Sequence, residues 1–234
     1  MMLRSICLSL ALATCSVSAG AQPWEGETLY RVVLAQASPG DYAEVMADWS
    51  ARIGNWPERD PSKPMWMRHS QGDWWDFMFI FPVDESESIA NSPANVFGED
   101  PRISRAEDLW VVGAGIDVLR GAMEGASLYH IEMFRALPGM RDDLMAQRRM
   151  ENEYLIRIDR PQNFIMRRVA GIAIDAFTLG CHPDLEQFAV SGQVSSQVDD
   201  AAARAAGFAG VSDISPWLRS LIAKHHDTLA VAIR

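Results

Sequence analysis

The chain has 234 residues, a net charge of −10 and 48% hydrophobic residues, which is the balance of a globular protein rather than a disordered one. The acidic charge argues against nucleic acid as a partner and against docking on anionic membranes, since both need a basic surface. The three cysteines are too few for a disulfide framework.

Residues 1–21 have the pattern of a secretory signal peptide. Arg4 supplies a basic start, a short apolar run follows, and small residues lead to Ala21. The apolar run is too short to span a bilayer. Lipoprotein processing at Cys15 is the less favoured alternative. The sequence therefore predicts a periplasmic or secreted protein without membrane insertion after cleavage, in which Cys181 is a small buried residue.

The rest of the chain matches itself when shifted by 99 residues. Between residues 28 and 81, twelve positions are identical to the position 99 residues later, where chance predicts about three. The earlier members of these pairs are Leu29, Tyr30, Ala37, Pro39, Gly40, Met46, Ala47, Asp60, Met67, Arg68, Gly72 and Asp76. We therefore predict two related units, at 27–122 and 126–234.

Each unit is predicted to open with a strand and a helix. In the first unit the strand lies at 29–36, and Ser38 is expected to cap a helix whose first turn holds Pro39, Asp41 and Glu44. Apolar residues then recur at helical spacing and predict one buried stripe, formed by Tyr42, Val45, Met46, Trp49 and Ile53. The second unit has its strand at 128–135 and keeps the Pro-Gly pair.

A hairpin and a closing strand complete each predicted unit. The hairpin turns lie at Gly72-Asp73 and Gly171. Strands are predicted in pairs at 65–71 and 74–81 and at 164–170 and 172–179, and singly at 109–112 and 228–233. Helical and loop segments precede the closing strands. The order β-α-β-β-α-β is the ferredoxin-like pattern.

Two such units in one chain resemble a tandem form of the dimeric α/β-barrel superfamily, of the NIPSNAP, EthD and antibiotic-biosynthesis monooxygenase type. The resemblance implies an α+β fold in which two tandem ferredoxin-like (βαββαβ) units form a pseudo-dimeric α/β barrel. It also implies a small hydrophobic or aromatic ligand between the units. Some members act without a metal or an organic cofactor, and we expect neither here.

Polar residues on the first strand of the second unit are the catalytic candidates. His130 and Glu132 share one strand face, and Arg31 is the counterpart of His130 in the first unit. We predict that this face looks into the barrel, where the three groups would serve as base, orienting group and anion clamp. The alternative is that they satisfy each other at a strand end.

Aromatic residues around the first hairpin are the ligand-binding candidates. Trp66, Trp74 and Trp75 are predicted to wall a cavity that suits a planar apolar ligand. The alternative for these tryptophans is plain core packing.

Two arginines recur at equivalent places and are further ligand-binding candidates. Arg68 and Arg167 lie near Asp76 and Asp175 in the two hairpins. We expect Arg–carboxylate pairs that brace the hairpins, or line the barrel if the charges point inward.

A run of two histidines and an aspartate, His225-His226-Asp227, precedes the last predicted strand. A histidine pair at a helix C-terminus is favoured there over a metal site, because no spacing typical of metal ligands accompanies it.

Two functions are consistent with these features. The first is an exported barrel that binds a small apolar or aromatic molecule, with cofactor-independent oxygenase or isomerase chemistry. The second is a non-catalytic envelope protein whose barrel is filled by side chains. The sequence does not decide whether the protein is an enzyme, and a homo-oligomer is compatible with it.

Overall fold

The computed structural model describes residues 22–84, 89, 96–190 and 194–233, so the predicted signal peptide lies outside the described residues. Within them the elements are β1 Thr28–Ala37, α1 Tyr42–Gly54, β2 Met65–Gln71, β3 Phe77–Pro82, β4 Ile103–Gly113, α2 Ile116–Glu124, β5 Leu128–Ala136, α3 Arg141–Arg157, β6 Phe164–Gly171, β7 Ala176–His182, α4 Leu185–Ala189, α5 Ser196–Ala205, α6 Val211–Leu221 and β8 Ile222–Ala232. None of the helices in these ranges is long and apolar enough to cross a membrane.

The strands form one closed antiparallel barrel, in the order β1-β3-β2-β8-β5-β7-β6-β4. β1 pairs with β3 and β4, and β5 pairs with β7 and β8 in the same way. The four strands of the first half are joined to the four strands of the second half at two seams, β2–β8 and β4–β6. Closure leaves no sheet edge open to solvent among these strands. The predicted α+β class and the barrel are confirmed.

Two carboxylates hold equivalent backbone positions in the two halves. Asp76 accepts a hydrogen bond from the N–H of Ala37 at 2.8 Å, and Asp175 accepts one from the N–H of Ala136 at 2.9 Å. Both amides lie where β1 or β5 shifts register against its neighbour. An irregular strand end leaves an N–H without a ladder partner, and the aspartate supplies one.

The hairpin turns are at the predicted glycines, but the strands after them begin later than predicted. Gly72 and Gly171 have φ of +113° and +101°. β3 begins at Phe77 rather than at residue 74, and β7 at Ala176 rather than at 172. The intervening residues extend the turn, and Asp76 is the first residue after it to bond both neighbours: its amide donates to the Ala35 carbonyl of β1, and its carbonyl accepts the N–H of His69 of β2.

The predicted helix cap is wrong, whereas the predicted apolar stripe is confirmed. α1 begins at Tyr42, and the Ser38 hydroxyl donates to the carbonyl of Pro101 at 2.8 Å instead of capping the helix. Gly40, with φ of +96°, turns the chain between Ser38 and the helix. The buried face of α1 packs on the outer side of β1 and β3, through Val45, Trp49 and Ile53.

The barrel interior is filled by apolar side chains. Tyr30, Val32 and Leu34 of β1 point inward, because the alternate residues of that strand pack under α1. The inward-facing residues of the other strands join them in one buried cluster, which includes Met67, Met78, Ile80, Leu109, Val111, Tyr129, Ile131, Met133, Met166, Leu179 and Ala230. The helices form an outer layer around this core.

Candidate functional site

Strand β5 presents His130 and Glu132 to the helices and not to the barrel interior. Tyr129, Ile131 and Met133 are the buried, inward-facing residues, and Glu132 on the opposite face forms an ion pair with Arg148 of α3. The prediction that His130 and Glu132 look into the barrel is therefore wrong. The barrel is filled by the apolar face, and helices cover the polar face.

Glu132 is the centre of a buried charge network on this outer face. One carboxylate oxygen accepts from Arg148 and from the Thr178 hydroxyl, both at 3.3 Å, and the other lies 3.1 Å from Nε2 of His225. Burial opposes ionisation of Glu132, but His225, Arg148 and His130 outweigh it and lower the pKa of this carboxyl to about 2. Glu132 is therefore an anion whose oxygens are already committed.

A second carboxylate shares the same arginine. Arg148 is 2% exposed and also bonds Glu151, one turn further along α3. Burial raises the pKa of Glu151, even though the Arg148 charge favours its ionised form. One buried cation thus faces two carboxylates.

Next to this network lies a cavity of about 310 Å³ between β5, β7, α3 and α4, which we call the histidine pocket. Its lining residues are His130, Glu132, Glu151, Leu155, Arg160, Pro161, Asn163, His182, Phe188 and Ala189. The Phe188 ring lies between the rings of His130 and His182, with centroid distances of 5.1 Å to each. The pocket thus combines an aromatic wall with titratable groups.

His182 has the most unusual surroundings in the histidine pocket. It is 5% exposed, and its Nδ1 atom has no hydrogen-bond partner among the described residues. Burial, assisted by the positive charges of His130 and Arg160, lowers the pKa of His182 to about 4. The imidazole is therefore neutral at neutral pH, and its Nδ1 atom is buried without a hydrogen bond among the described residues.

The backbone around His182 is shaped to leave space. A Cβ added at Gly180 would lie 3.0 Å from Nε2 of His182 and 2.6 Å from Oδ1 of Asn163, so a larger residue would displace both groups. Asn152 fixes the main chain of Asn163 through hydrogen bonds of 2.8 Å to its N–H and its carbonyl. The small residue at position 180 and the two hydrogen bonds between Asn152 and the Asn163 main chain therefore preform this side of the pocket.

His130 has a carboxylate partner of its own. Its Nε2 lies 2.7 Å from Oδ1 of Asp227, and the aspartate comes from the neighbouring strand β8. A histidine oriented by a carboxylate is a common arrangement for proton transfer.

The run His225-His226-Asp227 lies within β8, so the predicted helix C-terminus is wrong. Because side chains alternate along a strand, His225 and Asp227 both lie on the outer face, where they contact Glu132 and His130. His226 points the other way and lies 3.3 Å from Asp73. Among the described residues there is no cluster of three or more His, Cys, Asp or Glu suited to a metal ion.

The remaining predicted ligand-binding residues do not join the histidine pocket. Arg31 forms a bidentate ion pair with Asp108 at 2.7 and 3.1 Å, and its guanidinium lies over the Trp110 ring. Arg167 pairs with Glu27, while Asp175 pairs with the next residue, Arg168. The expected pairing of Arg167 with Asp175 is therefore wrong.

Arg68 and Asp76 likewise form no ion pair within the part of the chain that the structure describes. Arg68 lies opposite Phe77 in the β2–β3 ladder. The Asp76 carboxylate faces the Ala37 amide instead. Both recurring aspartates therefore accept hydrogen bonds from backbone amides and do not pair with the recurring arginines.

The three candidate tryptophans occupy separate surroundings. Trp66 stacks on Phe77 and Phe79 on the outer face of the first half. Trp74 lies under the Arg105 guanidinium at one end of the barrel, 3.8 Å from it. Trp75 is fully buried in the core.

No protein-family model and no curated protein matches the sequence of this chain. Among solved structures it is similar to an anthrone oxidase-like protein, with a TM-score of 0.54, 11% identity and coverage of 91% of this chain and 94% of that one. A monooxygenase-like protein from Lactobacillus acidophilus is similar with a TM-score of 0.53 and 5% identity, over 88% of this chain and 94% of that one. A chlorite dismutase-like protein is similar with a TM-score of 0.53 and 13% identity, over 89% of this chain and 96% of that one.

This chain has a dimeric α/β-barrel fold. The three similarities span nearly the whole of both chains in each comparison, and the closed eight-stranded barrel fits them. At such low identity the likeness shows the fold alone. In this α/β barrel, three groups with shifted pKa values, Glu132, Glu151 and His182, lie close together on the outer face of the second half.

Proposed function

We propose that the histidine pocket binds a small, planar, apolar or aromatic molecule and removes a proton from it. The observation that carries this proposal is His182, a buried neutral imidazole with an unpartnered ring nitrogen beside an aromatic wall. The pocket volume of about 310 Å³ lies within the range of small-molecule sites. The oxygenase-like names of similar structures agree with such chemistry.

The proposed step begins with substrate stacked against Phe188. His182 accepts a proton from an acidic C–H or O–H group, and the electron pair stays on the substrate as an enolate or phenolate. The Arg160 guanidinium, which also donates to the Phe188 carbonyl at 3.2 Å, stabilises this negative charge. The new anion raises the proton affinity of His182, which offsets its low pKa in the free protein.

Two reactions can follow from this anion without a cofactor. In an isomerisation, the proton returns from His182 to a different atom of the substrate. In an oxygenation, the carbanion gives its electrons to O₂, a carbon–oxygen bond forms, and the resulting peroxide loses water to leave a carbonyl group. The fixed anion of Glu132 and the His130–Asp227 pair hold the pocket walls in place, and His130 is the group that relays the proton to solvent.

The anthrone oxidase-like neighbour suggests a concrete probe. Anthrone is planar and has an acidic C–H, and its conversion to anthraquinone consumes one O₂ and releases one water. We expect oxygen uptake with anthrone, at least about tenfold slower in His182→Gln and unchanged in the control His226→Gln. Equal rates in wild type and His182→Gln would refute the role of His182.

The pH dependence tests which histidine acts. His182 protonates only near pH 4, so kcat/KM should stay level from pH 8 to pH 6 and fall near pH 4. A fall centred near pH 6.5 would instead point to a histidine of ordinary pKa and would contradict this assignment.

One observation favours a second candidate, a non-catalytic envelope protein. The middle of the barrel is packed by apolar side chains, and a cavity of about 490 Å³ remains at one end, where inward-facing Leu34 and Met133 lie beside polar residues such as Glu107 and His226. On this alternative the histidine pocket is only a gap between layers. Small molecules that co-purify with the protein, identified by mass spectrometry, would favour the first candidate, and their absence together with inactivity on anthrone would favour the second.

We infer further that the two halves are tandem ferredoxin-like units, at 27–122 and 126–234, in an exported protein. The recurring strand pairs and the paired Asp76 and Asp175 contacts support the tandem units. Export rests on residues 1–21 alone. N-terminal sequencing of the protein recovered from the periplasm tests it, with Gln22 as the expected first residue.

A further inference from the structure

At the β4–β6 seam, an indole side chain closes the end of the barrel. Trp24 is 3% exposed and belongs to the barrel core, and its carbonyl accepts the N–H of Ile165 at 3.0 Å. The chain then passes close to β4, because a Cβ added at Gly26 would lie 2.8 Å from the carbonyl oxygen of Gly113. Residues 24–26 thus fill this seam.

The residues equivalent to these lie at the β2–β8 seam, but they do not fill the space there. The residue 99 positions after Trp24 is Met123, at the end of α2, and the counterpart of Ile165 is Trp66. The Met123 carbonyl accepts from the Tyr129 hydroxyl at 3.2 Å, so this segment is tied to β5.

A cavity of about 280 Å³ lies at this second seam, and we call it the seam cavity. Its lining residues are Glu58, Lys63, Pro64, Met65, Trp66, Arg120, Met123, Glu124, Ala126, Tyr129, Ala232 and Ile233. It shares no residue with the histidine pocket. The cavity therefore lies where the opposite seam holds an indole.

We propose that the seam cavity is a second small-molecule site, which takes a neutral planar aromatic molecule of about the size of indole. Met65 and Met123 offer polarisable side chains, which pack well against aromatic rings. Trp66 and Tyr129 offer aromatic surfaces for stacked or edge contacts. The proposal rests on the equivalence of the two halves and is independent of chemistry in the histidine pocket.

The rim of the seam cavity is preformed by hydrogen bonds and one ion pair. The Arg120 guanidinium donates to the carbonyls of Asp60, Pro61 and Lys63, and so fixes the loop that forms one wall. Lys63 forms an ion pair with Glu58 at 3.0 Å. Because Lys63 is paired with Glu58 and the Arg120 donors are used by carbonyls, neither cation has a donor committed to an ionic ligand, and a neutral molecule fits this rim better than an anion.

Filling the cavity from within is the direct test. Met123→Trp places an indole at the position that matches Trp24, and Met140→Trp adds a tryptophan at an exposed methionine as the control. Indole is the probe, and binding is measured by saturation-transfer NMR. We expect saturable binding to wild type and to Met140→Trp, and at least a tenfold weaker affinity for Met123→Trp.

Further variants keep the test decisive. If Met123→Trp does not fold, Ala126→Leu narrows the same cavity from a neighbouring buried position and should also weaken indole binding. His182→Gln should leave indole binding unchanged. Indole binding that survives both cavity-filling variants, or no saturable binding to wild type, would overturn the proposal. Loss of binding only in His182→Gln would assign indole to the histidine pocket instead.

Discussion

Replacing Asp76 and Asp175 by alanine, one at a time, separates a backbone contact that recurs in the two halves from an ion pair that only Asp175 forms. Each aspartate accepts a hydrogen bond from a backbone amide at an irregular strand end. Asp175 in addition pairs with Arg168 at 2.9 Å, with side-chain exposures of 16% and 31%. The two variants therefore remove the same backbone contact, but only Asp175→Ala also removes an ion pair.

The structure sets the expected magnitudes. A buried amide without a partner costs about 1–3 kcal/mol, so we expect Asp76→Ala to lower the free energy of unfolding by about 1.5 kcal/mol. A partly exposed ion pair adds about 0.5–1 kcal/mol, which brings Asp175→Ala to about 2–2.5 kcal/mol. Asp175→Asn keeps an acceptor for Ala136 and should lose only the smaller amount.

Urea unfolding followed by tryptophan fluorescence measures these differences, provided that the slope with denaturant is the same in all variants. An Asp76→Ala variant that loses as much stability as Asp175→Ala would refute the added contribution of Arg168. A loss below about 0.5 kcal/mol in both would refute the need for an amide partner.

The same pair has a pH dependence of known sign. Burial opposes ionisation of Asp175, but the hydrogen bonds from Arg168 and Ala136 outweigh it and lower its pKa. A carboxyl with a lower pKa in the folded state stabilises the fold above its unfolded pKa, and this stabilisation is lost as pH falls through the folded value. The difference in stability between wild type and Asp175→Asn should therefore shrink below about pH 4.

Three more predictions follow from buried groups. Glu132→Gln removes one of the two carboxylates that face Arg148 and leaves Glu151 as its partner, so it should cost about 1–2 kcal/mol in urea unfolding, whereas a cost below about 0.5 kcal/mol would show that the network is dispensable. Gly171→Ala places a Cβ 2.3 Å from the carbonyl of Asp108 at a φ of +101°, so we expect Tm to fall by several degrees, and an unchanged Tm would contradict the close approach. Burial raises the pKa of Cys181 to about 12, so a thiol reagent at pH 8 should react at least about tenfold faster after unfolding than before, and equal rates would contradict this burial.

Periodicity and the internal match predicted the eight strands in their chain order, because both depend on local patterns that recur in the chain, but β4 and β8 begin six residues earlier than predicted, at Ile103 and Ile222. The stripe that buries Val45, Trp49 and Ile53 needs only the helical repeat and was predictable without tertiary information. Turn details were less accessible, because the amide of Asp76 bonds to a strand that lies 41 residues earlier in the chain, at Ala35.

The inward face of β5 could not be predicted, because both faces of this strand carry buried apolar residues. Phe134 is as buried as Ile131 on the opposite side, since helices cover one face and the barrel packs the other. Alternation alone gives two faces but does not say which is inside. His130 and Glu132 were identified as a pair, and only their surroundings differ from the expectation.

Arg148 and His182 are functional candidates that the sequence reasoning missed. α3 has a high density of charge, which is typical of a solvated helix, yet Arg148 is buried because Glu132 on β5 offers a partner. His182 looked unremarkable beside Cys181. Its pairing with Leu128 places it on the same face as His130, but the register between β5 and β7 is a tertiary contact that neither hairpin specifies.

The seam between β2 and β8 ties an early strand to the last one in the described chain. β8 also pairs with β5, so one eleven-residue strand supplies the ladder partner of two others. Until β8 has emerged during synthesis, both neighbours present unpaired edges to other chains. This topology makes the nascent protein dependent on its final residues, so a chain truncated before Ile222 should be captured by chaperones and proteases rather than persist as a partial barrel.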